Sequence, residues 1–258
     1  MTKALHAEWT KLRTIAGPVW LLLAAAVLTA ALSTASVAAM TCPAAGCAVD
    51  ATKLSLTGVQ LGQAVIAVLA VLAVGTEYST GMIHTTLTAM PRRTTVLAAK
   101  ATIVTGGALA AGTAGVLGSL LAGRLILPGH GFTTAHNYPP LSLTDGPTLR
   151  AAAGSVLYLA LIALLSLGIA ALVRDSAAAI GVVLGLLYLF PIVLGVINDA
   201  HWRRHIEQIA PSNAGLAIQD TIGLHDLPIS PWAGLGVLAA WAAGALLAGG
   251  GLLVLRDA

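Results

Sequence analysis

Residues 151–197 read AAAGSVLYLALIALLSLGIAALVRDSAAAIGVVLGLLYLFPIVLGVI, and this stretch decides the fold class. Two apolar runs, 151–173 and 177–197, are parted only by the segment VRDS, Val173 to Ser176. Each run has the length of roughly 20 residues that crosses a hydrocarbon core. No water reaches that core, so a spanning segment must pair its own backbone amides, and both runs are expected as helices. The short polar turn between them makes the pair a helical hairpin.

The same pattern extends outward to apolar runs at 17–40, 57–76, 96–121 and 230–255. The run at 57–76 is the weakest, because Gln60 and Gln63 shorten its apolar centre. A polar side chain in a span packs inside a bundle more often than it faces lipid, so this run is kept as a span. Composition agrees: 57% of residues are hydrophobic and 9% are charged, and mean hydropathy is +0.90. Soluble domains carry about 25% charged residues. The expected fold is therefore an all-α polytopic membrane protein with six transmembrane helices. Residues 1–16 form an N-terminal amphipathic interfacial helix, and residues 17–258 form the six-helix domain. The run at 17–40 has full membrane length behind a long, mixed leader, which favours a retained first helix over a cleaved signal peptide.

The net charge of +3 and pI near 9.1 would suggest nucleic acid in a soluble protein. Here the charges lie mostly between apolar runs, so they read as a topology signal, with membrane lipid as the partner and no nucleic acid. With the N-terminus inside, Lys3, Lys11, Arg13, Arg92, Arg93, Lys100, Arg174 and Arg256 are cytoplasmic, while Lys53, Arg124, Arg150, Arg203 and Arg204 are external. Eight against five favours a multi-pass protein of the cell membrane with both termini in the cytoplasm.

Within the leader, Leu5, Trp9, Leu12 and Ile15 recur at three- or four-residue spacing among Lys3, His6, Lys11 and Arg13. That pattern suits a helix lying in the interface, with Trp9 as anchor and Lys11 and Arg13 near anionic headgroups. A disordered basic leader is the plainer alternative. The cytoplasmic segment EYSTGMIHTTLTAMPRRTTVLAAK, residues 77–100, has room for a short helix from Ile83 to Ala89 before Pro91 interrupts it. Such a segment, with its core at 77–95, is either a knob that enters a partner's groove or a basic turn that only fixes topology. Outside, Cys42 and Cys47 stand in CPAAGC, either bonded to each other in an oxidising space or free as thiols. The external loop 122–150 holds four prolines and four glycines, with His130 and His136 as ordinary surface histidines. The external loop 198–228 places His201 and His205 one helical turn apart beside Trp202 and Glu207. Without an HExxH arrangement, an interfacial cap is a cheaper reading than a zinc site, and no metal site is expected.

At this point the chain resembles a known family. EYSTGMIHTTLTAMPRR followed by Ala99–Lys100, with the leader AEWTKLRTIAGPVW at residues 7–20, is similar to ABC-2-type permease subunits of actinobacterial exporters. The resemblance covers the leader and first three spans specifically, and the later hydropathy layout generally. It implies an ABC-2-type transmembrane domain, with the leader as a connecting helix and the first cytoplasmic loop as a coupling helix on an ATPase subunit. The coupling or gating residues it implies are Glu77, Tyr78, Gly81, His84, Thr85, Thr86, Pro91, Arg92 and Arg93. Relatives often have arginine where this chain has His84, which removes a permanent charge and up to five donors. Glu77 is then left to pair with Arg92, Arg93 or Lys100, or to face interfacial water.

The absences fit that implication. There is no GxxxxGK[ST] loop to cradle a nucleotide phosphate, no GxSxG elbow and no CxxCH. Every Asp and Glu falls at a span end or in a loop, unlike the buried carboxylates of many ion-driven carriers. The leading expectation is thus a transport subunit without catalytic residues or cofactor of its own, driven by Mg-ATP in a partner ATPase. It would pair with a second permease copy or paralogue and export a peptide, lipid-like or amphipathic antibiotic-type substrate. The alternatives are a non-catalytic membrane binding, assembly or immunity factor, and a membrane-embedded enzyme.

Overall fold

A computed structural model describes residues 2–14, 16–42, 49–79, 93–134, 138, 140–197 and 199–256. The described residues are helical or irregular, with no strand among them. In chain order the helices are α1 (Thr2–Thr14), α2 (Ala16–Ala39), α3 (Ala51–Ser55), α4 (Val59–Ser79), α5 (Arg93–Ile126), α6 (Gly146–Val173), α7 (Ser176–Val196), α8 (Ala200–Ile209), α9 (Pro211–Leu216) and α10 (Pro231–Arg256). Among the described residues the 3-10 turns η1 (Leu127–His130) and η2 (Ala217–Gln219) join them.

Among the described residues, six helices are long and apolar enough to cross a membrane: α2, α4, α5, α6, α7 and α10. They fall on the six apolar runs of the sequence, so the chain is an all-helical polytopic membrane protein. Two loops are shorter than expected. The loop expected at 122–150 starts later, because α5 continues to Ile126 and passes into η1, and ends earlier, because α6 starts at Gly146. The segment expected at 77–95 is shorter, because α4 runs to Ser79 and α5 starts at Arg93. At 34 residues α5 is about 51 Å long, well beyond a hydrocarbon core of about 30 Å. Apolarity marks where a helix leaves lipid, whereas the helix itself continues until its hydrogen-bond ladder is broken.

The hairpin at 151–197 forms as the sequence requires. Arg174 closes α6 in the left-handed region at φ 61°, its amide bonded to the Ala170 carbonyl. Asp175 then caps α7, its carboxylate accepting from the Ala178 amide at 2.7 Å. The central helix is α6, most of whose length is buried, with α4, α5, α7 and α10 packed around it. Its Tyr158, Leu159, Ile162, Leu165 and Leu167 are among the most buried side chains in the protein. By contrast α2, α7 and α10 turn broad apolar faces outward, with Trp20, Val27, Ile192, Val196 and Leu247 exposed. Such faces would be an aggregation hazard in water and are ordinary against lipid.

Small residues set how closely the spans approach. A Cβ on Gly168 of α6 would lie 2.6 Å from the Ala245 backbone of α10, so that crossing needs glycine. Gln63, doubtful as a spanning residue, is buried in α4 and accepts a hydrogen bond from the Tyr158 hydroxyl. The Gln63 side chain therefore faces the bundle interior as expected, whereas Gln60, in the first turn of α4, is exposed.

Pro191 lies inside α7 and has no amide hydrogen, which frees the carbonyl four residues earlier, that of Leu187. Ser212, buried on α9, donates its hydroxyl to that carbonyl at 2.8 Å. The gap left by the proline is thus filled from another helix.

Helix α1 and the end of α10 lie at one end of the bundle. There α1 meets the end of α4 and the start of α5, and the Arg174 guanidinium donates to the Leu252 carbonyl of α10 at 3.1 Å. At the opposite end, the described residues of 40–42, 49–56, 127–134, 140–150 and 199–230 come together. Val37, Cys42, Leu127 and Phe132 form a small core there, with the Phe132 and Tyr138 rings edge to face at 4.9 Å. The Cys42 amide donates to the His130 carbonyl at 2.9 Å.

Candidate functional site

The site begins in α1. Glu8 and Lys11 stand three residues apart, a spacing that puts both on one helix face, and Trp9 projects from another with about half its surface exposed (51%). The charged face turns inward against the bundle. Glu77, in the last turn of α4, and Lys100, two turns into α5, meet it there. Both are spanning-helix residues, each only 4% exposed.

The four side chains form one hydrogen-bonded set. The Lys11 ammonium donates to Glu77 Oε1 at 2.6 Å and to Glu8 Oε1 at 3.1 Å. The Lys100 ammonium donates to Glu77 Oε1 at 2.7 Å, Glu8 Oε2 at 3.0 Å and the Ala73 carbonyl at 3.1 Å. Two carboxylates offset two ammonium groups, so the cluster adds no net charge to a poorly solvated place. Partial burial opposes the charge on Lys11, but its hydrogen bonds to Glu77 and Glu8 outweigh that cost and hold its pKa above the ordinary value.

Beside the cluster lies a cavity of about 370 Å³, lined by Glu8, Lys11, Glu77 and Lys100 on one side and by apolar residues including Leu21, Leu69 and Ile103 on the other. Next to it the Arg174 guanidinium stands 5.5 Å over the ring of Tyr78.

Of the residues singled out in the sequence, the structure brings Glu77, Tyr78 and Lys11 to this place. Gly81, His84, Thr85, Thr86, Pro91 and Arg92 lie outside the described residues, as does the short helix expected at 83–89; Arg93 opens α5. Lys11 was expected to face headgroups and instead points to Glu77. Trp9 and Arg13 are exposed. Cys42 is buried, and Cys47 is outside the described residues.

At the other end, the HxxxH segment forms α8, capped by Asp199, which accepts from the His201 amide at 2.8 Å. The His201 and His205 rings stand edge to face at 4.5 Å beside a shallow cavity of about 270 Å³. Glu207 bonds Arg203 at 3.2 Å, and among the described residues no third His, Cys, Asp or Glu completes a metal-binding group. Trp202 is exposed. The following α9 and η2 are buried between α6, α7 and α10.

Two members of the charged set, Glu8 and Lys100, carried no role in the sequence reading beyond topology and one suggested pairing. Lys100 had a visible signal: it lies inside the third apolar run, and an ionisable group there demands a partner. Glu8 had a weaker one, its three-residue spacing from Lys11. No protein-family model matches the chain, and no curated protein matches it.

Proposed function

We propose that the chain is the permease subunit of an ATP-binding-cassette exporter of the ABC-2 type, driven by a separate ATPase. The observation that supports it most is the junction of α1 with Glu77 and Lys100. These two residues flank the segment 80–92, where the family resemblance puts the coupling element. Glu77 and Lys100 are both hydrogen-bonded to α1, so a force applied to that segment is passed to the leader, the start of α2, the end of α4 and the start of α5 at once. A permease needs such a linkage, because it contributes no bond-breaking chemistry and must convert a partner's movement into two arrangements of its helices.

In this reading α1 is the connecting helix, both termini are cytoplasmic, and α8, α9 and η2 cap the external exit, with His201, Trp202 and His205 on that cap. Cys42 and Cys47 would form an external disulfide. A second permease copy or paralogue completes the pathway. The cargo is a peptide, a lipid-like compound or an amphipathic antibiotic, in keeping with a bundle whose interior is mostly apolar.

The test is mild-detergent co-purification with the ABC ATPase encoded alongside, followed by ATP hydrolysis in the complex. Charge reversal at Arg92 and Arg93 should leave the complex assembled while uncoupling hydrolysis from transport, and Glu77→Ala, which also removes the acceptor shared by Lys11 and Lys100, should uncouple it and lower Tm. Normal coupled transport in both variants would sink the role assigned to this junction. Failure of any ATPase to associate would favour an autonomous membrane binding or immunity factor.

A further inference from the structure

We propose that the polar face of α8 binds the phosphate group of a phospholipid from the leaflet at that end of the bundle. The site is a set of four side chains. His201, Arg204, His205 and Gln208 recur at the three- and four-residue spacing of one helix face, and together they line the shallow cavity of about 270 Å³. Each can donate a hydrogen bond: a guanidinium has five N–H groups, and a neutral imidazole has one. Gln208 gives one amide hydrogen to the Pro228 carbonyl at 2.7 Å and has another to spare. The carboxylates nearby are already engaged. Glu207 bonds Arg203 at 3.2 Å, and Asp199 accepts from the His201 and Trp202 amides. Among the described residues Arg204 has no acidic partner, so this face carries an uncompensated positive charge on a surface of donors.

Depth decides what can meet that charge. Helix α8 starts at Ala200, just past the end of α7 at Val196, and does not lie flat on the bundle. The carbonyl of its last residue, Ile209, accepts from Trp241 Nε1 at 3.0 Å, and Trp241 stands ten residues into α10. Three residues further on, Ser212 reaches the Leu187 carbonyl, nine residues before the end of α7, which is about 13 Å down a helix. Helix α8 is itself about 15 Å long, so it descends steeply from the end of the bundle into the leaflet, with Arg204 halfway along it. A guanidinium at that depth is costly without an anion, and its long side chain relieves the cost by reaching for the headgroup layer. The anion of that layer is the lipid phosphate. Trp202 and Ile209, exposed on the neighbouring face of α8, supply apolar contact for the acyl chains of the same molecule. This inference rests on the six-span fold and not on the transport reading.

The experiment measures binding of radiolabelled dioleoylphosphatidylglycerol to the full chain in maltoside detergent. Competitors are the same lipid unlabelled, dioleoylglycerol, which keeps the tails and lacks the phosphate, and inorganic phosphate, which lacks the tails. A saturable site is expected, for which dioleoylglycerol competes about tenfold more weakly than the phospholipid, the worth of one charge-assisted hydrogen bond. Inorganic phosphate in large excess should leave binding unchanged. Arg204→Gln supplies the second arm: the side chain is exposed and makes no ion pair, so the variant should elute as the parent does and bind about tenfold more weakly. Lys53→Gln removes an exposed cation at the same end of the bundle and should leave binding unchanged. Non-saturable uptake, equal competition by dioleoylglycerol, displacement by inorganic phosphate, undiminished binding by Arg204→Gln, or an equal loss in Lys53→Gln would each overturn the proposal.

Discussion

Each end of this bundle is tied by carboxylates and lysines, and the two ties differ in their surroundings. At one end Lys100 meets Glu77 and Glu8 with its side chain 5% exposed. At the other, Lys53 of α3 meets Asp220 at 2.6 Å with its side chain 49% exposed. Nearby, Asp50 accepts from the Thr221 amide at 2.5 Å, the Thr221 hydroxyl at 2.8 Å and the Ile222 amide at 3.2 Å. The Arg150 guanidinium donates to the Asp220 carbonyl at 2.5 Å. Both ties join segments far apart in sequence. The first sits where water cannot replace a lost partner, and the second where it can. Similar pairs at similar distances should therefore differ severalfold in what their loss costs.

The sharpest way to break the comparison is Lys100→Met. It leaves two buried carboxylates sharing Lys11 and should cost about 3–5 kcal/mol, seen as a large fall in Tm or loss of the monodisperse species in detergent. A fall no greater than that of the exposed-end variants would show that the buried end is as well hydrated as the other. Asp50→Ala should come next. It removes the α3 cap, whose carboxylate accepts from the Lys53 amide at 3.0 Å, together with the Thr221 and Ile222 bonds. About 1–2 kcal/mol is expected, and limited proteolysis should speed up between residues 217 and 230. Unaltered cleavage there would mean that the helices on either side hold the segment without Asp50. Lys53→Ala should matter least, at or below about 1 kcal/mol, and its effect should vanish in 1 M salt while that of Lys100→Met persists. Equal salt sensitivity of the two variants would erase the distinction between the ends.

The sequence made the spans easy to read, and the reason is physical. Crossing lipid demands an uninterrupted run of apolar residues, and such a run is visible without knowing any neighbour. The turn at Arg174 and Asp175 was equally local. Lys11, by contrast, was matched to the nearest plausible partner, lipid headgroups, whereas its carboxylate partner Glu77 lies 66 residues away. Which residue of α4 reaches α1 depends on how the helices slide against one another, and close approaches of small residues such as Gly168 to Ala245 set that register. No periodicity within a single helix encodes it. The burial of α9 was harder to read for a related cause. Pro211, Ser212, Asn213, Ala214 and Gly215 are polar or small and read as an interfacial, external or re-entrant segment. Their place inside the bundle follows from what α6, α7 and α10 leave open.

The bond from Ser212 to the Leu187 carbonyl also bears on the order in which the chain can be completed. Leu187 is synthesised 25 residues before the group that satisfies its carbonyl. Until α9 folds back, α7 has an unmet acceptor at membrane depth, a state that hydrocarbon penalises. The hairpin of α6 and α7, self-evident as it is in the sequence, is therefore not a finished unit when it enters the bilayer. It waits on a later stretch of chain, and until that stretch arrives its second helix is a natural target for whatever accompanies unfinished membrane segments during biogenesis.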